Sequence, residues 1–102
     1  MNKIYISGRI TGIETEAPLL FAEACIEMRE LGFDTVNPMD LEHNHDKSWN
    51  SYMRNDIKAL MECDAIYMIS NWVHSKGAEI ERRIAMDLGM KVIYESQSGS
   101  PE

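Results

Sequence analysis

The sequence has little cysteine. It contains only Cys25 and Cys63 among 102 residues. Each of them lies within a helical apolar pattern, which is typical of a reduced cysteine in a protein core. The spacing of Cys and His is not that of a zinc site. We therefore expect no disulfide framework and no bound metal.

Positive charge is also scarce, since 10 Lys and Arg stand against 17 Asp and Glu, giving a formal net charge of −7. A nucleic-acid duplex or an anionic membrane would be repelled by such a chain, which argues against both as the main partner. A small anionic ligand remains compatible with this charge if a local cluster of donors faces it.

Long hydrophobic runs are absent as well, because no apolar segment is long enough to span a bilayer. The start of the chain, "MNKIYISG", lacks the layout of a signal peptide, so we expect a cytoplasmic protein. A chain of this length accommodates one core. We predict a single domain over residues 1–95 and a flexible tail over 96–102.

What is present is an alternation of strand and helix patterns. The predicted strands are "KIYIS", "FDTVNP", "DAIYMIS" and "KVIY". One helix is predicted from Pro18 to Gly32, one over residues 49–63 after the cap Ser48, and one from the cap Ser75 to Gly89. This order predicts an α/β domain with a flavodoxin- or Rossmann-like three-layer fold and a parallel sheet of about four strands, in the order 2-1-3-4.

In a sheet of this kind ligands bind beyond the carboxyl ends of the strands, where the strand order reverses. The reversal falls between strands 1 and 3, so residues 8–15 and 70–76 should line the site. Backbone N–H groups between Gly8 and Gly12, and the helix start at Ser75, are candidates to hold phosphate. Neither loop has the motif of a dinucleotide fold or a P-loop.

Two carboxylates interrupt helix faces that should be buried. Glu81 lies on the face formed by Gly77, Ile80, Ile84, Ala85 and Leu88. Asp56 lies on the margin of a second face, formed by Trp49, Met53, Ile57 and Leu60. Each carboxylate alone can be a satisfied structural ion-pair partner. Because both lie on helices beside the predicted reversal point, together they indicate a functional site.

Paired carboxylates beside a loop suited to phosphate suggest chemistry at a glycosidic carbon. One carboxylate can attack or stabilise the developing positive charge, and the other can handle the proton of the leaving group. By contrast, "HNH" at residues 43–45 lies in a polar loop, and we interpret it as solvated. Trp72 is compatible both with packing and with stacking on a base.

The sequence resembles the nucleoside 2-deoxyribosyltransferase superfamily, including the 2'-deoxynucleoside 5'-monophosphate N-glycosidases, and most of all its short bacterial and phage branch. The resemblance begins at "KIYISGRITG", continues through "YMRNDIKALMECDAIYMI" and ends at "SKGAEIERRIAMDLGMKVIY". It spans nearly the whole chain. It implies cleavage of a nucleoside or nucleotide N-glycosidic bond, or transfer of the (deoxy)ribosyl group, without a cofactor.

The resemblance also implies residue roles. Glu81 corresponds to the nucleophile, Tyr5 to the tyrosine that orients it, and Asp56 to the aspartate on the base side, so Tyr5 should lie within hydrogen-bonding reach of Glu81. Ser75 corresponds to a serine that binds 5'-phosphate in the nucleotide hydrolases, where the transferases have aspartate. The implied substrate-binding residues are Ser7, Gly8, Arg9, Ile10, Gly12, Ser75 and Gly77.

The sequence departs from the family pattern after the glutamate, where "ERRIA" replaces a segment with a small residue. Three hypotheses remain open at this point. The first is an enzyme acting through Glu81. The second is a non-catalytic protein that sequesters or senses a nucleotide-derived molecule, and the third is an oligomeric protein without a ligand. The resemblance implies a homodimer or a larger homo-oligomer.

Overall fold

The computed structural model describes residues 2–95, in which strands and helices alternate. The strands are β1 (Lys3–Ser7), β2 (Asp34–Val36), β3 (Ala65–Met68) and β4 (Lys91–Tyr94). The helices are α1 (Ala17–Glu30), α2 (Trp49–Leu60) and α3 (Lys76–Asp87). The flexible tail predicted for residues 96–102 lies outside the described residues.

The four strands form one parallel sheet in the order β2-β1-β3-β4, as the sequence predicted. β1 pairs with β2 on one side and with β3 on the other, with Tyr5 opposite Val36 and Ile66. Because β1 and β3 are adjacent but not consecutive, the strand order reverses between them. The carboxyl ends of these two strands therefore mark the expected position of a site.

The sheet is covered on both faces, which confirms the three-layer α/β architecture. Side chains of β1 alternate between the faces. Ile4 and Ile6 pack in a cluster with residues of α1, including Phe21. Tyr5 belongs to the opposite cluster, with Leu60 of α2 and residues of β3 and α3. Ser7 follows Tyr5 by two positions, so both hydroxyls belong to the face that carries α2 and α3.

The helix ends marked by serine or glycine follow the predicted signals, but α2 ends at Leu60, three residues before the predicted end. The hydroxyls of Ser48 and Ser75 each accept a hydrogen bond of 3.1 Å from a backbone N–H in the first turn of α2 and α3. Gly32 and Gly89 have φ of 98° and 75°, the left-handed conformation that closes a helix and favours glycine.

The predicted buried faces are partly wrong at the helix ends. Leu31, Trp49 and Leu88 are exposed rather than buried. Leu31 and Leu88 are the C-caps of α1 and α3, and Trp49 is the first residue of α2, so all three lie where the helix diverges from the sheet. Asp56 is fully part of the buried face of α2 rather than on its margin, with Met53 and Leu60.

The remaining segments contain short 3-10 helices, at Pro38–Asp40 and Ser70–His74, where the sequence had suggested a strand end and loops. Both cysteines are buried and free, as expected. No helix within residues 2–95 has the length and apolar character needed to cross a membrane.

Candidate active site

Glu81 is held by two hydroxyl groups of β1. Tyr5 Oη donates a hydrogen bond of 2.9 Å to Glu81 Oε2, and Ser7 Oγ donates one of 2.7 Å to Oε1. The side chain of Glu81 lies in the second turn of α3 and is only 5% exposed. The predicted contact between Tyr5 and Glu81 is confirmed. Ser7, predicted to bind substrate, instead has its hydroxyl directed to Glu81.

The environment of Glu81 disfavours its charged form. Burial raises the pKa of this carboxyl from 4.5 to about 7. The hydrogen bond from Ser7 lowers the pKa, the negative charge of Asp56 raises it, and the hydrogen bond from Tyr5 lowers it. Burial also raises the pKa of Tyr5 well above 10, so at neutral pH Tyr5 remains protonated and can donate.

Asp56 is the second buried carboxylate. It is 9% exposed, and its Oδ1 has no hydrogen-bond partner among residues 2–95. Burial raises its pKa from 3.8 to about 7. A buried polar atom without a partner is costly, and such atoms in native structures often mark a place where a ligand or water completes the bonding. Asp56 therefore has a free oxygen with which to bind or exchange a proton.

Both carboxylates line a cavity of about 490 Å³. This volume falls in the range of small-molecule sites. Of the ten residues predicted from the sequence, the cavity is lined by eight: Tyr5, Ser7, Gly8, Ile10, Asp56, Ser75, Gly77 and Glu81.

Arg9 and Gly12 do not line this cavity. Arg9 lines an adjoining cavity, and Gly12 lines neither of the two. The backbone N–H of Gly12 donates to Glu14 Oε2 at 3.1 Å, and that of Arg9 donates to Asn71 Oδ1 at 2.9 Å. Because side chains of the protein itself already use these two donors, the loop is poorly suited to hold phosphate through them.

The adjoining cavity has a volume of about 300 Å³ and is lined by Arg9, Thr11, Trp49, His74, Ser75, Lys76 and Gly77. Its ionisable side chains are all basic. The Lys76 ammonium lies 4.6 Å from the centroid of the Trp49 ring, a cation–π contact that holds it at the wall of this cavity. Thr11, Trp49, Ser75 and Gly77 line both cavities.

The sequence analysis missed an aromatic wall of the larger cavity. The "HNH" segment is not simply solvated, because the rings of His43 and His45 pack on Tyr52 of α2, with centroid distances of 4.7 and 4.6 Å. His43, Tyr52 and Trp49 line the cavity. The signal available in the sequence was the pair of exposed-looking aromatics at the start of α2, which follow the histidine segment directly.

The unusual "ERR" arginines do not line either cavity. The Arg82 guanidinium lies 4.5 Å from the centroid of the Trp72 ring, and its Nε donates 2.9 Å to the Tyr94 hydroxyl. Arg83 is exposed. Trp72 is thus a packing residue beside β4, and the departure from the family pattern leaves the carboxylate site untouched. Within residues 2–95 no group of His, Cys, Asp and Glu is arranged to hold a metal ion.

A protein-family model matches most of the chain. The family model described as a domain of unknown function, DUF4406, matches residues 2–94. A comparison with curated proteins found no significant match.

Comparison with solved structures identifies the fold. A 2-deoxyribosyltransferase from Bacillus psychrosaccharolyticus aligns with a TM-score of 0.71 and 21% identity, over 98% of this chain and 76% of that one. A 2-desoxiribosyltransferase from Leishmania mexicana aligns with a TM-score of 0.71 and 19% identity, over 99% of this chain and 68% of that one. The TIR domains of the Roq1 resistosome align with a TM-score of 0.52 and 23% identity, over 92% of this chain and 56% of that one. The chain therefore has the fold of the 2-deoxyribosyltransferases.

Proposed function

The chain belongs to the DUF4406 family, and we propose that it cleaves the N-glycosidic bond of a nucleoside or nucleotide, passing the (deoxy)ribosyl group to water or to another base. One observation carries the proposal. A buried glutamate, held by two hydroxyl donors, lines the same cavity as a buried aspartate that has a free oxygen.

In the first step Glu81 attacks the sugar C1' as the C–N bond to the base breaks. Tyr5 and Ser7 each occupy one lone pair of the carboxylate, which leaves further lone pairs on both oxygens for attack. These donors hold the carboxylate in one orientation before the ligand arrives, which reduces the entropy lost on reaching the transition state. The product is a glycosyl ester of Glu81 and a base.

The bonding electrons of the C–N bond pass to the base, which needs a proton. Asp56 supplies it, since its raised pKa leaves a substantial protonated fraction at neutral pH. In the second step water or another base attacks C1' and gives a proton to Asp56, while the ester bond breaks, so that Glu81 and Asp56 are both restored. With water as acceptor the net reaction is hydrolysis, and with a base it is transfer.

The cavity also offers an orientation for the substrate. The base lies along the wall formed by His43, Trp49 and Tyr52, because nucleobases stack well on aromatic rings. The sugar then lies between this wall and the carboxylates. Its 5' side faces Ser75 and Gly77 at the start of α3.

One observation favours the alternative of a binding protein without turnover. Both Glu81 oxygens accept hydrogen bonds and its pKa is about 7, so at neutral pH part of the population carries a protonated and therefore poor nucleophile. Such a site would still bind a nucleotide-derived molecule through the aromatic wall and Asp56.

The test is incubation with a panel of ribo- and deoxyribonucleosides and their 5'-mono- and diphosphates, followed by chromatography for free base. We expect base release by the wild type and a loss of at least about 10³-fold in Glu81→Gln, because the nucleophile is gone. Glu79→Gln is the matched control, since Glu79 lies on the same helix but is exposed. Mass spectrometry of the wild type should detect the glycosyl ester on Glu81.

Two results would contradict the proposal. If Glu81→Gln released base as fast as Glu79→Gln, Glu81 would not be the nucleophile. If the wild type released no base from any member of the panel yet bound one tightly, the binding-protein alternative would replace the enzyme.

A further inference from the structure

The smaller cavity concentrates positive charge in an acidic protein. Arg9, Lys76 and His74 are the ionisable side chains of its lining, and none of the lining residues is acidic. The chain as a whole has a formal charge of −7. The acidic surface of such a protein repels anions. An anionic group can therefore bind only where basic side chains cluster, as they do in this cavity.

The start of α3 adds backbone donors to the same cavity. The Ser75 hydroxyl accepts from Ala78 N and the Ser75 carbonyl accepts from Glu79 N. The N–H groups of Lys76 and Gly77 have no hydrogen-bond partner among residues 2–95. Both residues line the smaller cavity. Free N–H groups at the positive end of a helix bind phosphate oxygens well.

A separate observation ties these donors to a ligand. The smaller cavity shares Thr11, Trp49, Ser75 and Gly77 with the larger one, so one molecule can extend from the first into the second. In the larger cavity Asp56 is nine-tenths buried with an unpartnered Oδ1. The buried unpartnered oxygen and the free helix amides therefore line two adjoining cavities, with an acid in the larger and basic groups in the smaller.

We propose that the substrate class is a nucleoside 5'-diphosphate or an ester of one, rather than a nucleoside or a 5'-monophosphate. The inference rests on the proposed function for the position of the sugar. With C1' at Glu81, the α-phosphate lies at Ser75 and Gly77, where the two cavities join. The β-phosphate lies in the smaller cavity between Arg9 and Lys76, which a monophosphate would leave empty.

The test is calorimetric titration of Glu81→Gln, which removes turnover, with nucleosides, 5'-monophosphates and 5'-diphosphates of each common base, and with inorganic pyrophosphate. For the preferred base we expect the diphosphate to bind about tenfold or more tightly than the monophosphate, since it gains charge-assisted hydrogen bonds. Pyrophosphate alone should bind far more weakly, because it lacks the base and the sugar. The difference should shrink at high salt.

Variants in the smaller cavity should remove that difference. In the Glu81→Gln background, Lys76→Ala combined with Arg9→Ala should weaken diphosphate binding about tenfold and change monophosphate binding little. Lys58→Ala is the matched control, since Lys58 is an exposed lysine of α2 that lines neither cavity. It should leave both affinities unchanged.

Equal affinities for mono- and diphosphates, or no binding by any nucleotide, would overturn the inference. The inference would also be overturned if the double variant weakened the binding of the monophosphate and of the diphosphate equally. Failure of the proposed function gives a different pattern. Diphosphate preference in the binding assay, with no base released by the wild type from any diphosphate, would retain the substrate class and remove the reaction.

Discussion

The phenol of Tyr5 donates a hydrogen bond of 2.9 Å to Glu81, joining the first strand to the last helix across 76 positions of the chain. The bond forms in a buried environment, where hydrogen bonds to a charged group are stronger than in water. It also sets the protonation of the carboxylate, because a donor favours the charged form. Tyr5 thus positions Glu81 and lowers its pKa against the effect of burial.

Replacing Tyr5 by phenylalanine removes this donor, so the pKa of Glu81 should rise further. The acid limb of the pH profile of kcat/KM, which reports the essential carboxylate, should move to higher pH by about one unit. Activity near pH 7 should fall and recover in part at higher pH. Steady-state kinetics across pH 5–9 provide the measurement.

The control for this variant is Tyr67→Phe. Tyr67 is also a buried tyrosine of the sheet, but its hydroxyl donates 2.9 Å to Glu27, away from the site. Its profile should match that of the wild type. A fall in rate for Tyr5→Phe without any movement of the acid limb would mean that Tyr5 does not set the pKa of Glu81.

Replacing Asp56 by asparagine should remove the decrease in kcat/KM at high pH, because the carboxyl with a pKa of about 7 that supplies the proton to the base is gone. The rate should fall by about 10² to 10⁴ for substrates whose base must be protonated. It should fall much less for analogues with a weakly basic leaving group.

Asp87→Asn serves as the control, because Asp87 is an exposed residue at the end of α3. Equal losses for good and poor leaving groups would rule out proton transfer by Asp56. A decrease in kcat/KM at high pH that persisted in Asp56→Asn would rule it out as well.

Oligomeric state is a further prediction. We expect a homodimer or larger assembly, because a chain of this size has a small core and the resemblance described in the sequence analysis implies one. Leu19 and Ile26, large apolar residues seven positions apart on α1, are exposed and available for such a contact. Light scattering at about 100 μM should give at least twice the mass of one chain, and a monomer at that concentration would contradict the prediction.

The sequence pattern was sufficient to predict the sheet, and the resemblance to a known family implied the pairing of Tyr5 with Glu81. Strands alternate with helices, and right-handed crossovers leave few possible strand orders. Side chains two positions apart on a strand share a face. Glu81 was recognisable because a carboxylate on a buried helix face conflicts with the pattern around it.

Other parts of the site depended on contacts that no local pattern reveals. His43 and His45 lie in a polar segment, and only the folded structure shows that both rings pack on Tyr52 and that the ring of His43 lines the cavity. The Gly12 amide looked free in the sequence, but Glu14 turns back to accept from it. Hydrogen bonds of side chains to nearby backbone groups compete with ligands in this way.

The last prediction concerns the pH dependence of stability. Glu81 has a pKa of about 7 in the native state, against 4.5 for the unperturbed group, so between these values the native state retains a proton that the unfolded state has lost. The free energy of unfolding should therefore decrease as pH rises from about 4 to 7 and level off above it. Glu81→Gln removes this contribution and should make the dependence less steep, while the contribution of Asp56, whose pKa is also raised to about 7, remains. For a pKa shift of this size the difference is on the order of 3 kcal/mol.

Chemical denaturation at pH 5 and pH 8 measures this difference in the free energy of unfolding. Subtracting the values for the variant from those for the wild type cancels the titration of the histidines. Glu79→Gln should retain the wild-type dependence. If Glu81→Gln were instead less stable than the wild type at pH 8 by several kcal/mol, about 3 or more, Glu81 would be a structural partner of a buried cation and not a strained carboxylate retained for chemistry.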